Sequence, residues 1–369
     1  MMYSPFRHLP SILWKKSPIH LTFFVTRRCN ARCSFCFYQA GGDRDGGTSR
    51  ELTVEEVEKV SSSIGRLLWL SFSGGEIFLR RDLAELVEVF YRNNRPSLIV
   101  LPTNGLLPDT IRRQTEAILE KCPRSTVVVK LSLDGTREVH DALRGVRGAF
   151  DRTLGTYRQL EGLARRHRNL ELGVNTVFCA ANQKSIDEVI DIVRGLDGIR
   201  THTVSLIRGQ VPDPALKEVD RERYLQILET MESDLRERPS CRYRFRGGRL
   251  KVAQDILQRR LIHETSCRSR RLVPCYAGRL SVVLDEEGDV YPCEILAASM
   301  GNVRDGGYDL KGILSSSEGR KTLDAIGRGN CYCTHECNFM MNIFFNPRLY
   351  PALFREYGRL VLGGAFRGA

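Results

Sequence analysis

HLTFFVTRRCNARCSFCFY, residues 20–38, decides how the rest of the chain is read. Its start, HLTFFVT (20–26), has the apolar, β-branched character of a buried strand. Directly behind it come Cys29, Cys33 and Cys36, spaced Cys-x3-Cys-x2-Cys. A loop can fold three such thiolates around one corner of an iron–sulfur cubane, whose irons favour soft thiolate ligands. One iron then has no protein ligand and can take a substrate or cofactor. A disulfide would leave one cysteine over. Zinc would want a fourth ligand nearby, and the next 25 residues hold neither His nor Cys.

Outward from this stretch the chain alternates strand-like and helical runs to about residue 207. WLSFSGG (69–75), LIVLPTNG (98–105), TVVVKLSLDG (126–135), LELGVNTVF (170–178) and THTVSLIRG (201–209) read as strands, separated by amphipathic helical runs. Near-continuous apolar strands imply a parallel sheet covered by helices. Right-handed crossovers curl it into an α/β fold, a partial (β/α)6 barrel of TIM type with a small cysteine-rich C-terminal domain. The cysteines, SGGE, TNG and SLDG each follow a strand, at the end where such folds bind ligands. The expected organisation is an N-terminal extension (1–19), the core (20–210), a helical connector (211–266), the cysteine-rich domain (267–340) and a tail (341–369).

The 369 residues, 42% of them hydrophobic, suffice for a large domain plus a smaller one. No apolar run is long enough to span a bilayer, and MMYSPFRHLPSILWKKSP lacks the apolar region of a signal peptide. The expected compartment is the cytoplasm, where grouped cysteines mean metal or redox chemistry. The twelve cysteines fall into groups at 29–36 and 267–337, while Cys122, Cys179 and Cys241 stand alone as plain core or surface residues. A formal charge of +12 could attract nucleic acid or an acidic lipid surface. The arginines form no basic block, so they read as a solvated surface.

CNARCSFC resembles the cluster motif of the radical S-adenosylmethionine (SAM) superfamily, with Phe35 at the aromatic position. SFSGGEIFLRRDL resembles that family's GGE stretch, with Ile77 where proline is common. TNG (103–105) and SLDGTREVHDALRGVRGAF resemble later segments of its peptide-modifying branch. The resemblance implies a [4Fe–4S] cluster on Cys29, Cys33 and Cys36, whose open iron chelates SAM. Reductive cleavage would release methionine and a 5′-deoxyadenosyl radical, which abstracts a hydrogen atom from the substrate. Gly74 and Gly75 would let the backbone approach SAM closely, and Glu76 would accept from its ammonium group. Asn104, Ser132 and Asp134 are candidates for SAM contacts, and Arg144 for its carboxylate. Asp134–Gly135 reads equally as a turn and Arg144 as a helix-surface charge. Asn175 lies inside the fifth strand with unknown facing. His140 and His202 read as structural.

CYAGRLSVVLDEEGDVYPC (275–293) and CYCTHEC (331–337) resemble the SPASM or twitch extension, which holds auxiliary clusters. A hairpin at DEEGD brings Cys275 and Cys293 together. One auxiliary [4Fe–4S] cluster is expected on four of Cys275, Cys293, Cys331, Cys333 and Cys337, with Cys267 a further candidate and zinc the alternative. The implied activity is an oxidation or cross-link of a peptide or small metabolite. A flavodoxin or ferredoxin would supply electrons. The competing reading is an iron–sulfur or zinc protein that binds nucleic acid without SAM chemistry. No aromatic–basic interleaving supports it. The apolar, arginine-containing tail (342–366) would cap the barrel or rest on a membrane.

Overall fold

All six strand–helix alternations are present. The computed structural model describes residues 2–38, 50–238, 243–329 and 331–365, and Cys241 lies outside the described residues. The core runs β1 (His20–Phe24), α1 (Val54–Ser63), β2 (Trp69–Ser73), α2 (Leu83–Asn94), β3 (Leu98–Thr103), α3 (Pro108–Lys121), β4 (Thr126–Ser132), α4 (Arg137–Arg144), α5 (Ala149–Arg166), β5 (Leu170–Phe178), α6 (Ile186–Arg194) and β6 (Ile199–Leu206). There follow α7 (Arg221–Glu237), α8 (Gly248–Arg268), β7 (Ser281–Leu284), β8 (Val290–Tyr291), α9 (Leu310–Ser315), α10 (Ser317–Gly327), α11 (Glu336–Phe344) and α12 (Tyr350–Ala365).

Local signals set these elements. β1 is buried along its whole length, as a strand covered on both faces must be. α1 opens with a reciprocal capping box: Thr53 Oγ1 accepts from Glu56 N, and the Glu56 carboxylate accepts from Thr53 N. α4 stops at Gly145, whose φ of 63° is the left-handed conformation that suits glycine. Phe90 of α2 meets Phe23 of β1 and Phe72 of β2 edge-on, with ring centroids 6.1 and 6.3 Å apart, which seats this helix on the sheet.

The strands form one eight-stranded sheet in the order β6-β5-β4-β3-β2-β1-β7-β8. β1 to β6 are parallel neighbours in chain order. β7 pairs parallel with β1, from His20↔Ser281 to Phe23↔Leu284, and β8 returns antiparallel. Through β7 and β8 the cysteine-rich region continues the core sheet beside β1. α11 also runs through residue 341, so the expected boundary before the tail falls inside a helix. α8 packs against both α11 and α12. Among the described residues no helix is long and apolar enough to cross a membrane.

Candidate functional site

Parallel strands put their following loops at one end, and those loops enclose a cavity of about 210 Å³. Cys29, Cys33 and Cys36 line it, with Gly74, Gly75, Glu76, Asn104, Ser132, Arg144 and Asn175. The cysteine loop is tied down from two sides. Arg32 N and Ser34 N donate to the carbonyls of Arg144 and Leu143 at 2.8 and 3.1 Å. Gly75 N donates to Thr26 O at 2.7 Å and Glu76 N to Arg28 O at 2.8 Å. A Cβ on Gly75 would fall 2.0 Å from Arg28 O, and one on Gly74 2.4 Å from Thr26 O. The close approach that these glycines permit is thus to the cysteine loop's own backbone, where a ligand was expected.

Glu76 sits at the cavity wall, 1% exposed. Its carboxylate accepts from Thr103 Oγ1 at 2.9 Å, Phe78 N at 3.3 Å and Asn104 N at 2.8 Å. Burial pushes its pKa up to about 7 against the pull of these donors. Asn104 Nδ2 donates to Asn30 Oδ1 at 2.7 Å and faces Cys29 Sγ at 3.8 Å. Asn175, whose facing the sequence left open, lines the cavity and accepts from Ser205 Oγ at 3.2 Å.

Asp134 and Arg144 need correction. Asp134 is fully buried and does not line the cavity. Its carboxylate accepts from Arg144 Nε at 2.7 Å and Val177 N at 2.8 Å, and Arg144 Nη2 lies 2.5 Å from it. It therefore has no face for a ribose. Arg144 turns its remaining Nη1 to Cys33 Sγ at 3.5 Å and stacks over Phe35 at 5.2 Å. Its charge faces a thiol, and the ion pair fixes it there. Burial raises the Cys29 thiol to about 12; burial also raises Cys33, and Arg144 opposes this. Such thiols ionise on a metal, which replaces the lost solvation. Three soft donors on one pinned loop beside an enclosed space fit an iron–sulfur corner, and the buried acceptor of Glu76 fits a cationic ligand. His140 is buried and His202 half-buried, and both make structural hydrogen bonds: Asp134 N donates to His140 Nδ1 at 3.1 Å, and the His202 ring pairs with Thr176 Oγ1 at 2.8 Å.

The second cysteine group divides. The β7–β8 hairpin forms as expected around Gly288, whose φ is 95°, and carries Cys275 and Cys293 to one end. With Cys331 and Cys333 they line a second cavity of about 90 Å³. Arg271 Nη2 faces Cys331 Sγ at 3.5 Å, and Leu296 N donates to Cys293 Sγ at 3.4 Å. Burial pushes Cys293 to about 12 and also raises Cys275 and Cys333. Cys337 does not line this cavity. It lies at the start of α11 with Glu294 and His335, their donor atoms within 4.8 Å of one another. Glu294 already meets the His335 ring at 2.9 Å, and His335 with Arg208 holds its pKa near 2 although burial opposes this. That carboxylate calls for no further cation. Cys267 is exposed beside His263.

Two residues escaped the sequence reading. Arg208 lines the first cavity and pairs with Glu336 of α11. Its signal was a charge directly behind the sixth strand, at the ligand-binding end. Arg271 carried none, since only folding brings it to Cys331.

Residues 23–167 match the radical SAM superfamily. This stretch is a radical SAM domain, and the homologues that share it are enzymes. The superfamily binds a [4Fe–4S] cluster and SAM. The chain is 28% identical over 306 residues to the AdoMet-dependent heme synthase of Methanosarcina barkeri, covering 80% of this chain and 82% of that one. It is 25% identical over 299 residues to the subtilosin biosynthesis protein AlbA of Bacillus subtilis, covering 79% of this chain but 59% of AlbA. The radical SAM domain shares its fold with solved structures. AdoMet-bound anSMEcpe superposes with a TM-score of 0.58 at 18% identity, covering 94% of this chain and 100% of that one. SAM-bound SuiB of Streptococcus suis gives 0.56 at 18% identity, covering 84% and 69%.

Proposed function

We propose that Cys29, Cys33 and Cys36 hold a [4Fe–4S] cluster at which SAM is reductively cleaved, and that the resulting radical abstracts a hydrogen atom from a peptide or small metabolite. The observation that carries this is the convergence of three thiols, the Gly74–Glu76 loop and Asn104 on one cavity at the C-terminal ends of parallel strands. Once bound, the cluster supplies the electron that splits the sulfonium bond, and the protein supplies position and exclusion of water. Glu76 accepts from the SAM ammonium, its orientation set by Thr103 and Asn104. Arg144 faces the anionic cluster, while Asp134 keeps that guanidinium in place. Ser132 and Asn175 line the part of the cavity left for nucleoside or substrate.

In the same reading Cys275, Cys293, Cys331 and Cys333 would hold an auxiliary [4Fe–4S] cluster, which would supply an electron acceptor for an oxidation or cross-link. A ferredoxin or flavodoxin supplies the first electron. Relatives named for bacteriocin biosynthesis, for killing-factor maturation and for heme synthesis support a peptide or small-molecule substrate.

The test is anaerobic reconstitution followed by reduction with dithionite and SAM. Release of 5′-deoxyadenosine by the wild type, and none by Cys36→Ala, is expected. A Cys36→Ala chain that still cleaves SAM would remove the central assignment. Iron of about eight per chain, falling to about four when Cys29, Cys33 and Cys36 are all Ala, is expected for two cubanes. No iron in that variant would remove the auxiliary cluster while leaving the assignment of Cys29, Cys33 and Cys36 untouched.

A further inference from the structure

An apolar face lies at the other end of the barrel. The 3-10 helix Pro5–Ile12 and α12 come together there over the starting ends of β2 and β3, around a cavity of about 190 Å³. Phe6, Leu9 and Phe354 reach this cavity yet remain 38, 55 and 57% exposed. The face continues along both elements. Leu13 is 84% and Trp14 68% exposed, and Val361 and Leu362 are 39 and 63% exposed. α12 is apolar on two sides: Leu353 and Leu360 pack inward, while Phe354, Val361 and Leu362 stand exposed beside the exposed Arg355 and Arg359. Apolar groups this exposed and this contiguous mark an interaction surface.

The charge around the patch has one sign. Lys16, Arg246, Arg348 and Arg355 are exposed on its rim, and residues 2–19 contain no Asp or Glu. Glu356 is the single acid in 345–365, and it is buried in ion pairs with Arg236, Arg260 and Arg359. Trp14 is followed by two lysines, and Lys16 lies 5.7 Å from its ring centroid. Aromatic and aliphatic side chains ringed by lysine and arginine are the pattern of a surface that sits in a lipid headgroup layer.

We propose that this face docks on an anionic bilayer, with Leu9, Leu13, Trp14, Phe354 and Leu362 entering the headgroup region and the cationic rim meeting lipid phosphates and carboxylates. The SAM cavity lies at the opposite ends of the strands, so docking leaves its mouth open to solvent. This holds whatever the barrel's substrate is, and does not rest on the SAM chemistry.

Co-sedimentation of the full chain with phosphatidylcholine vesicles, with and without phosphatidylglycerol, tests it. Partitioning onto the anionic vesicles should be at least about tenfold stronger than onto neutral ones and should weaken as salt is raised, since the charge contribution is screened. Leu13→Glu/Trp14→Glu and Phe354→Glu/Leu362→Glu should each reduce binding about tenfold or more. Lys16→Glu/Arg348→Glu/Arg355→Glu, all exposed, should do the same while leaving the buried packing in place, which guards against a folding defect. Iron content and far-UV circular dichroism of these variants should match the wild type. Binding absent from anionic vesicles, or equal on both kinds, would overturn the proposal. So would a concentration-dependent dimer in sedimentation velocity that the same apolar variants abolish, because the patch would then be covered by a second copy.

Discussion

Replacing Asp134 by Ala should unfold the chain more readily and leave its ligand contacts indirect. Asp134 is fully buried, and Arg144 is 8% exposed. The carboxylate takes two guanidinium nitrogens and Val177 N. Removing one partner of a buried ion pair costs about 3–5 kcal/mol, because the other charge is left uncompensated. Val177 N would lose its acceptor as well, a cost of about 1–3 kcal/mol for a buried donor, partly included in the first figure. At a urea dependence of about 3 kcal/mol per molar, the transition should fall by about 1–2 M. Asp134→Ala/Arg144→Met removes both charges and should be less destabilised than the two single variants sum to, with a coupling of up to about 3 kcal/mol. The assay is anaerobic urea unfolding of the four chains by circular dichroism, with SAM affinity measured in parallel. A loss below about 1 kcal/mol together with a clear fall in SAM affinity would refute this reasoning, since Asp134 would then face the ligand and not Arg144.

Glu76→Gln removes the charge offered to the SAM ammonium. A charge-assisted bond is worth about 1.5–3 kcal/mol, so SAM Kd should rise roughly 10- to 150-fold with iron content unchanged; an unaltered Kd would take Glu76 out of the site. Cys293→Ala should lower iron from about eight to about four per chain while Cys337→Ala keeps about eight. The reverse result would exchange their roles. Glu171 of β5 accepts from Arg244 N at 2.8 Å through one oxygen, its other oxygen has no partner, and burial pushes its pKa up to about 7. The folded chain then holds this proton more tightly than the unfolded one, so the stabilisation is complete below the unfolded value near 4.5 and is lost as pH rises through 7. Glu171→Gln should therefore be more stable than wild type at pH 8, by at most about 3 kcal/mol, with the difference closing toward pH 5. A difference independent of pH would rule out burial of the charge as its cause.

The alternation of strands and helices and the two cysteine groups were legible in the linear chain because each is a local pattern. HLTFFVT is apolar enough to be buried wherever it lies, and Cys29, Cys33 and Cys36 are close enough in sequence that any loop there brings them together. The hairpin around Gly288 is likewise local, since a positive φ at a glycine turns the strand back on itself. Periodicity also predicted a parallel sheet. What it could not supply is the partner of each polar group. Asp134 and Arg144 are ten residues apart and each looked fit for a ligand. Only the fold, by turning α4 back against the end of β4, spends one on the other and leaves Arg144 facing Cys33. In the same way CYCTHEC offers three thiols within seven positions, yet the turn into α11 points Cys337 away from Cys331 and Cys333 toward Glu294 and His335. Arg208 and Glu336 are 128 residues apart, and no spacing rule pairs them. The sequence by itself determined which chemistry the chain carries, because side-chain type and short-range spacing suffice for that. Tertiary structure decided which of those side chains face the cavities, because facing depends on register and on where distant elements pack.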